Sequence, residues 1–158
     1  PERVAELYEQ ILIGKDVDIS KVLKVSHSLE HDEMVLIKDI PFYSMCEHDL
    51  LPFFGRCHLA YIPEDNRIVG IERLARTVDI LSKKLHLQER LTTEIANEVM
   101  NCLKPKGVGV VMEARHLCME MKGFKQPGTK IITSALRGQF RKDIKTREEF
   151  LKLIENAS

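Results

Sequence analysis

Cys46, Glu47, His48 and Asp49 are consecutive in a short polar break between apolar runs, and His116-Leu117-Cys118 forms a second such group far downstream. Two thiols, a carboxylate and two imidazoles in two groups are the makings of one metal site folded together from distant segments. Zinc suits this set best. Thiolate, imidazole and carboxylate are its usual ligands, and a catalytic site takes three of them and keeps a position for water. A plainer reading competes with it. Cysteine is among the most buried residue types, isolated histidines are commonly surface or core residues, and a Cys-x-x-Asp spacing alone is weaker than paired Cys-x-x-Cys. The second group raises the metal reading above the plain one.

A chain of 158 residues fits one domain, residues 1–158, whose core buries most of its apolar surface without disulfide or metal staples. Zinc would then be kept for chemistry more than for folding. Lysine plus arginine equals aspartate plus glutamate at 24 each, so no global field draws in nucleic acid or an anionic membrane. An anionic ligand needs a local basic cluster instead. Cys46, Cys57, Cys102 and Cys118 are unevenly spaced and there is no signal-peptide pattern, which points to reduced thiols in a cytoplasmic compartment. No apolar run is long enough to cross a bilayer. Pro1 abuts a helical pattern directly, as expected where an upstream segment has been removed or is disordered.

The elements that must position the two groups follow from periodicity. Val4, Leu7, Ile11 and Leu12 recur at helical spacing, predicting a helix from Pro1 to about Ile13, ended by Gly14. Residues 14–31 are polar and mixed. Met34 to Ile40 reads as a strand, followed by Pro41 and the first group. Arg56 to Ile62 reads as a strand with Cys57, Leu59 and Tyr61 on one face. The turn Pro63-Glu64-Asp65-Asn66 then predicts a hairpin with Ile68-Val69. Two helices are expected next, about Glu72–Lys84 and about Gln88–Leu103, the second with Leu91, Ile95, Val99 and Leu103 in a stripe and with Pro105 and Gly107 as its stop. Val108 to Ala114 is a strand that delivers His116 and Cys118, with Lys130 to Leu136 as its hairpin partner. A last helix runs from Thr146, capped with Glu149, to Ile154. There are no internal repeats, low-complexity tracts or linkers. This order predicts an α+β domain, an antiparallel sheet with helices packed on one face.

At this point several runs together carry a family resemblance. Ser44-Met45-Cys46-Glu47-His48, Leu51-Pro52-Phe53-Phe54-Gly55, Ala60-Tyr61-Ile62-Pro63, Gln88-Glu89-Arg90-Leu91-Thr92, His116-Leu117-Cys118-Met119 and Lys145-Thr146-Arg147-Glu148-Glu149-Phe150-Leu151 closely resemble GTP cyclohydrolase I, nearly end to end. The resemblance implies a tunnelling-fold subunit with an N-terminal helix (about 1–13) and a catalytic core (about 33–158). Its sheets join in a toroidal homo-oligomer of ten subunits in two pentamers, with active sites between subunits. It implies hydrolysis of GTP to 7,8-dihydroneopterin triphosphate and formate, the first step of folate and tetrahydrobiopterin biosynthesis. No regulatory partner is specified.

Residue by residue, the resemblance makes Cys46 and Cys118 zinc thiolates and His48 and His116 the proton-transfer histidines. It makes Glu89, helped by Gln88, the grip on guanine, whose adjacent N–H donors suit one carboxylate. On helix chemistry alone Glu89 reads better as a first-turn acid that stabilises the helix N-terminus, and the resemblance reverses that. Arg3, Arg73, Arg76 and Lys122 stand where the family binds triphosphate, and Arg73 and Arg76, three apart, share one side of a helix near its N-terminus. Cys57 and Cys102 match nothing catalytic and are expected in the core. The chain also departs from the family pattern. Asp49 replaces the histidine that is the third zinc ligand. A carboxylate can take that place but adds negative charge beside two thiolates. Glu72 replaces a serine, can pair with Arg76 and competes with phosphate, Arg73 replaces a lysine, and Lys122 replaces an arginine. Alternatives to full turnover are a related hydrolase with a different purine substrate or one stopping after ring opening. A further alternative is an oligomer that binds nucleotide or pterin without turnover.

Overall fold

In a computed structural model the chain is described over residues 1–27, 30–123 and 125–156. Residues 28 and 29 of the polar stretch, residue 124, and residues 157 and 158 at the end of the expected domain lie outside the described residues. The central strand is β3 (Pro52–Ile62), antiparallel to β2 (Val35–Cys46) on one side and to β6 (Gly107–His116) on the other. Beyond β6 lies β7 (Ile131–Gly138), also antiparallel, as the sequence predicts for this pair. A two-residue parallel strand, β5 (Leu85–His86), pairs with Met45 and Cys46 and completes the order β5-β2-β3-β6-β7.

Alternation decides which face is covered. Phe53, Cys57, Leu59 and Tyr61 of β3 and Val108, Val110, Met112 and Ala114 of β6 point to one side and are at most 1% exposed. Over them lie α3 (Ile71–Ser82), against β2, and α4 (Gln88–Leu103), against β6 and β7. The predicted stripe Leu91, Ile95, Val99 and Leu103 is completely buried, and each such side chain contributes about 1.5–3 kcal/mol. Lys104, in the left-handed conformation at φ 49° and ψ 52°, ends α4 ahead of Pro105. Cys57 is buried in this core and Cys102 packs against it, as expected.

The other face is covered at one end only. There α6 (Gln139–Lys142) and α7 (Ile144–Glu155) bring Phe140 and Phe150 edge to face, 5.3 Å apart at 89°, onto Ala60 and Ile62. Tyr43 and Phe54 stack on the open part of that face, and Tyr43 is 70% exposed.

Several expected details are corrected. β2 runs through Pro41 to Cys46 instead of stopping at Ile40. The hairpin partner of β3 is β2, while Ile68 and Val69 lie in β4 (Arg67–Val69), which pairs with β1 (Val25–His27) in a separate small sheet. The stretch 14–31 is ordered where described, with a 3₁₀ turn at Ile13–Asp16 and a short α2 (Ile19–Val22) before β1. The first helix, α1, spans Glu2–Ile11. Gly14 does not merely end it. Its N–H donates to Lys83 O at 2.9 Å, and a Cβ there would sit 1.9 Å from Ile80 O. The last helix is capped by Asp143, whose carboxylate accepts from Lys145 N and Thr146 Oγ1, and not by Thr146 itself.

The closest strand approach is at Gly55, where a Cβ would meet Glu113 O at 1.8 Å. Gly55→Ala is expected to cost about 1–3 kcal/mol through overpacking, read as a lowered thermal midpoint. An unchanged midpoint would mean that β3 and β6 separate freely at this point.

Candidate metal centre and active site

The two groups meet because both end at the same edge of the sheet. β2 stops at Cys46 and returns into β3 through a tight loop in which Leu50 N donates to Cys46 O and Cys46 N to Leu51 O, both at 2.9 Å. Leu50 takes φ 54° to close it. Glu47, His48 and Asp49 therefore ride on a hairpin tip. On the far side of β3, His116 pairs with Phe53 at the end of β6, and Cys118 lies in the first turn of α5 (Leu117–Glu120). Ligand atoms of Cys46, Asp49 and Cys118 all lie within 4.8 Å of one another. Two thiols and a carboxylate in that space suit zinc. Burial and the neighbouring Cys46 and Asp49 push the Cys118 thiol up.

Asp49 is already half engaged. Lys122 Nζ donates to Asp49 Oδ1 at 2.6 Å. One carboxylate oxygen remains for a metal, and the ammonium offsets the negative charge that a carboxylate adds to two thiolates. Lys122, expected at the triphosphate, is thus placed first against the metal-ligand candidate.

His116 is half-buried, its ring stacked on Phe53 at 4.7 Å and 5°. Its Nε2 lies 2.6 Å from Gln88 Oε1. Burial pulls the His116 pKa down while nearby Glu89 acts to raise it. Glu89 is exposed in the first turn of α4, free to accept from a ligand. Gln88, expected to help hold the base, is 1% exposed with its amide spent inside the protein. His48 is exposed on the hairpin tip. That tip is tied to α4 by a two-point fork from Arg90 to Glu47, at 2.7 and 3.0 Å.

The sequence reading missed a network behind Cys46. Glu94 accepts from Lys84 and lies 2.7 Å from His86 Nε2, and His86, 1% exposed, sits opposite Cys46 in the sheet. A lone histidine and a helix-face glutamate carry no spacing signal that would have revealed it. Thr92 and Thr133, beside Gln88, were missed too. The i, i+4 step from Gln88 to Thr92 was the available hint.

Arg73 and Arg76 line a separate cleft with Lys21, Lys24, Asp18 and Glu72. Among the described residues Glu72 makes no ion pair with Arg76, which corrects the expected i, i+4 contact. The end of α3 nearest the metal residues is its C-terminus, where Lys84 O accepts from Ser44 Oγ at 3.3 Å. Arg73 and Arg76 lie in the N-terminal half of this 12-residue helix. Arg3 is exposed on α1.

The model of the family described as GTP cyclohydrolase I matches residues 1–155. The chain belongs to the GTP cyclohydrolase I family. A protein of Thermoanaerobacter pseudethanolicus named GTP cyclohydrolase 1 is 55% identical over 156 residues, covering 99% of this chain and 83% of its own length. Two solved structures share the fold. An archaeosine synthase QueF-Like in the apo form matches with TM-score 0.52 at 20% identity over 66% of this chain and 93% of its own. An E. coli dihydroneopterin aldolase in complex with neopterin matches with TM-score 0.50 at 12% identity over 67% and 99%. The α+β tunnelling-fold expectation therefore holds. Within the GTP cyclohydrolase I family pattern, two of this chain's departures, Asp49 and Lys122, touch each other in space.

An ammonium beside a cation site opposes the cation. Lys122→Met is expected to tighten zinc binding a few-fold, measured by competition with a chromophoric chelator, and a weaker site would show the lysine to be needed to hold Asp49 in place. A second expectation concerns Glu94. Burial alone would raise its pKa, but the hydrogen bonds from His86 and Lys84 prevail and hold it below its ordinary 4.5. A lowered folded-state value means that the contribution to stability is present above about pH 4.5 and is lost as pH falls through the lowered value. The gap in thermal midpoint between wild type and Glu94→Gln should accordingly shrink below pH 4.5. A gap that widens in acid would contradict this.

Proposed function

We propose that the chain hydrolyses GTP to 7,8-dihydroneopterin triphosphate and formate, the first step of folate and tetrahydrobiopterin biosynthesis. The observation that carries this reading is the convergence of Cys46, Asp49 and Cys118 beside His116 and Glu89, in a chain matched by the family along 1–155. Cys46, Asp49 and Cys118 would hold zinc. When bound, zinc would supply the Lewis acidity that makes a water reactive toward C8 of the purine. His48, exposed on the hairpin tip, gives a proton to the opening ring, and His116 serves the later proton transfers. Glu89 accepts the paired N–H donors of guanine. Arg73, Arg76, Arg3 and Lys122 hold the triphosphate, and Lys122 exchanges its hold on Asp49 for the phosphates when substrate arrives.

The placement of Arg73 and Arg76 in a cleft lined by none of the metal candidates supports a site shared between copies. Two strand edges support it too. Among the described residues, 35–44 of β2 have no strand beyond them and β7 is the other outer strand, so pairing between copies would satisfy both. The assembly is a toroidal homo-oligomer, a decamer of two pentamers. The four free thiols fit the cytoplasm.

Two observations favour a second reading. Because Lys122 holds Asp49, and Glu72 lines the cleft of Arg73 and Arg76 with no ion pair among the described residues, the chain could be an oligomer that binds nucleotide or pterin and stops short of full turnover.

Metal-replete protein incubated with GTP should release formate and yield fluorescent neopterin after oxidation. Formate without pterin would mean that the sugar rearrangement fails. Absence of both products would sink the hydrolase reading. Asp49→His is expected to raise zinc retention and rate, and no gain in a fully loaded protein would show Asp49 to be a competent ligand.

A further inference from the structure

The hydrogen bonds around Gln88 can be directed one by one. Gln88 Nε2 lies 3.3 Å from Met112 O and 3.0 Å from Ile131 O. Carbonyl oxygens only accept, so the group facing them must be the amide NH₂, and Oε1 must be the atom facing His116. Thr133 closes the account. Thr92 Oγ1 has Gln88 O at 2.7 Å and Met112 Sδ at 3.2 Å as acceptors for its one proton, which makes it the acceptor toward Thr133 Oγ1 at 2.7 Å. The Thr133 hydroxyl proton is spent on Thr92, and its lone pair is left for Gln88 Nε2 at 3.0 Å. A Gln88 amide turned the other way would set Oε1 against two carbonyls.

With Oε1 fixed toward His116 at 2.6 Å, the facing ring atom must donate. A bare Nε2 would place two acceptors against each other. The remaining ring atom, Nδ1, has no hydrogen-bond partner among the described residues, and it is not among the buried unpartnered atoms, where only His86 Nδ1 stands. It is therefore open to solvent, while stacking on Phe53 holds the ring plane.

We infer that Gln88 and Thr133 are positioning residues that fix His116 as the Nε2–H tautomer, leaving Nδ1 as the atom that exchanges protons with the substrate. This rests on the reading of His116 as a proton-transfer residue in GTP hydrolysis. It gives Gln88 a task other than holding guanine and gives Thr133 a task where none is otherwise assigned. A general base must present a lone pair where the proton is, and a neutral amide achieves this without adding charge near two thiolates and a carboxylate. The two amide protons of Gln88 are shared among three acceptors, of which Ile131 O and Thr133 Oγ1 at 3.0 Å are the nearer and Met112 O at 3.3 Å the farther.

The test reads the tautomer directly. Long-range ¹H–¹⁵N correlation spectra of ¹⁵N-histidine-labelled, metal-replete protein at alkaline pH, assigned by the loss of one signal in His116→Asn, should show a protonated Nε2 and a bare Nδ1. A protonated Nδ1 would overturn the inference. Thr133→Val leaves the amide Ile131 O and the longer Met112 O, so it should loosen the hold on the ring, let some of the other tautomer appear and lower kcat about two- to threefold, a small share of a general acid–base contribution, with KM for GTP little changed. Thr133→Ser should restore both spectrum and kcat. Should Thr133→Val fold but leave spectrum and rate untouched, Thr133 has no positioning role. If that variant does not fold, the wild-type spectrum and Thr133→Ser still decide. Absence of formate from wild type would sink the hydrolase reading alone, since the spectrum is measured without substrate.

Discussion

The site depends on the antiparallel register of β3 between β2 and β6. Met45 opposite Pro52 fixes where the hairpin tip must turn, and Phe53 opposite His116 brings the second group to the same end. A slip of one residue would turn Phe53, Cys57, Leu59 and Tyr61 out of the core, and with them Cys46 away from Cys118. The hydrophobic effect thus holds the ligand candidates in alignment, although none of the groups doing the aligning is chemical. Gly55 contributes by allowing β3 to lie against Glu113 and Ala114.

Upon that frame the polar groups are arranged so that charge is balanced near the metal candidates. Asp49 faces Lys122, Glu47 faces Arg90, and Glu94 faces both Lys84 and His86. The first two pairs are partly exposed, so each is weak in water. Their worth lies in direction, since they join the hairpin tip to α4 and to the segment after α5. The pair behind Cys46 is more enclosed, and its partners stiffen the strand edge that the ligand ends.

Much of this could be read from residues alone, and the failures are instructive. The stripe Leu91 to Leu103 with Pro105 beyond it placed α4 at both ends, and the β6–β7 pairing followed from two apolar runs. The turn at residues 63–66 is real, with Asp65 and Asn66 at φ 51° and 57°. The expected hairpin after it fails because β3 already has partners on both sides there, Tyr61 facing Val35 and Val108. Pro41 follows directly on the strand expected to end at Ile40, yet among the described residues β2 has no strand on its outer side at that point, so the missing N–H costs no ladder bond. Two thiols and a carboxylate were legible as one site from type and spacing. The contact between Asp49 and Lys122 was not, because 73 positions separate them and nothing in either segment signals the other. The same holds for Thr133 and Gln88, which meet only through the register of β7 on β6.

The central claim is that Cys46, Asp49 and Cys118 form one zinc centre. X-ray absorption at the zinc edge of metal-replete protein tests it most directly. The account predicts two sulfur scatterers at about 2.3 Å with oxygen or nitrogen at about 2.0–2.2 Å. A zinc shell without sulfur, or one built mainly of imidazole nitrogen, would contradict it.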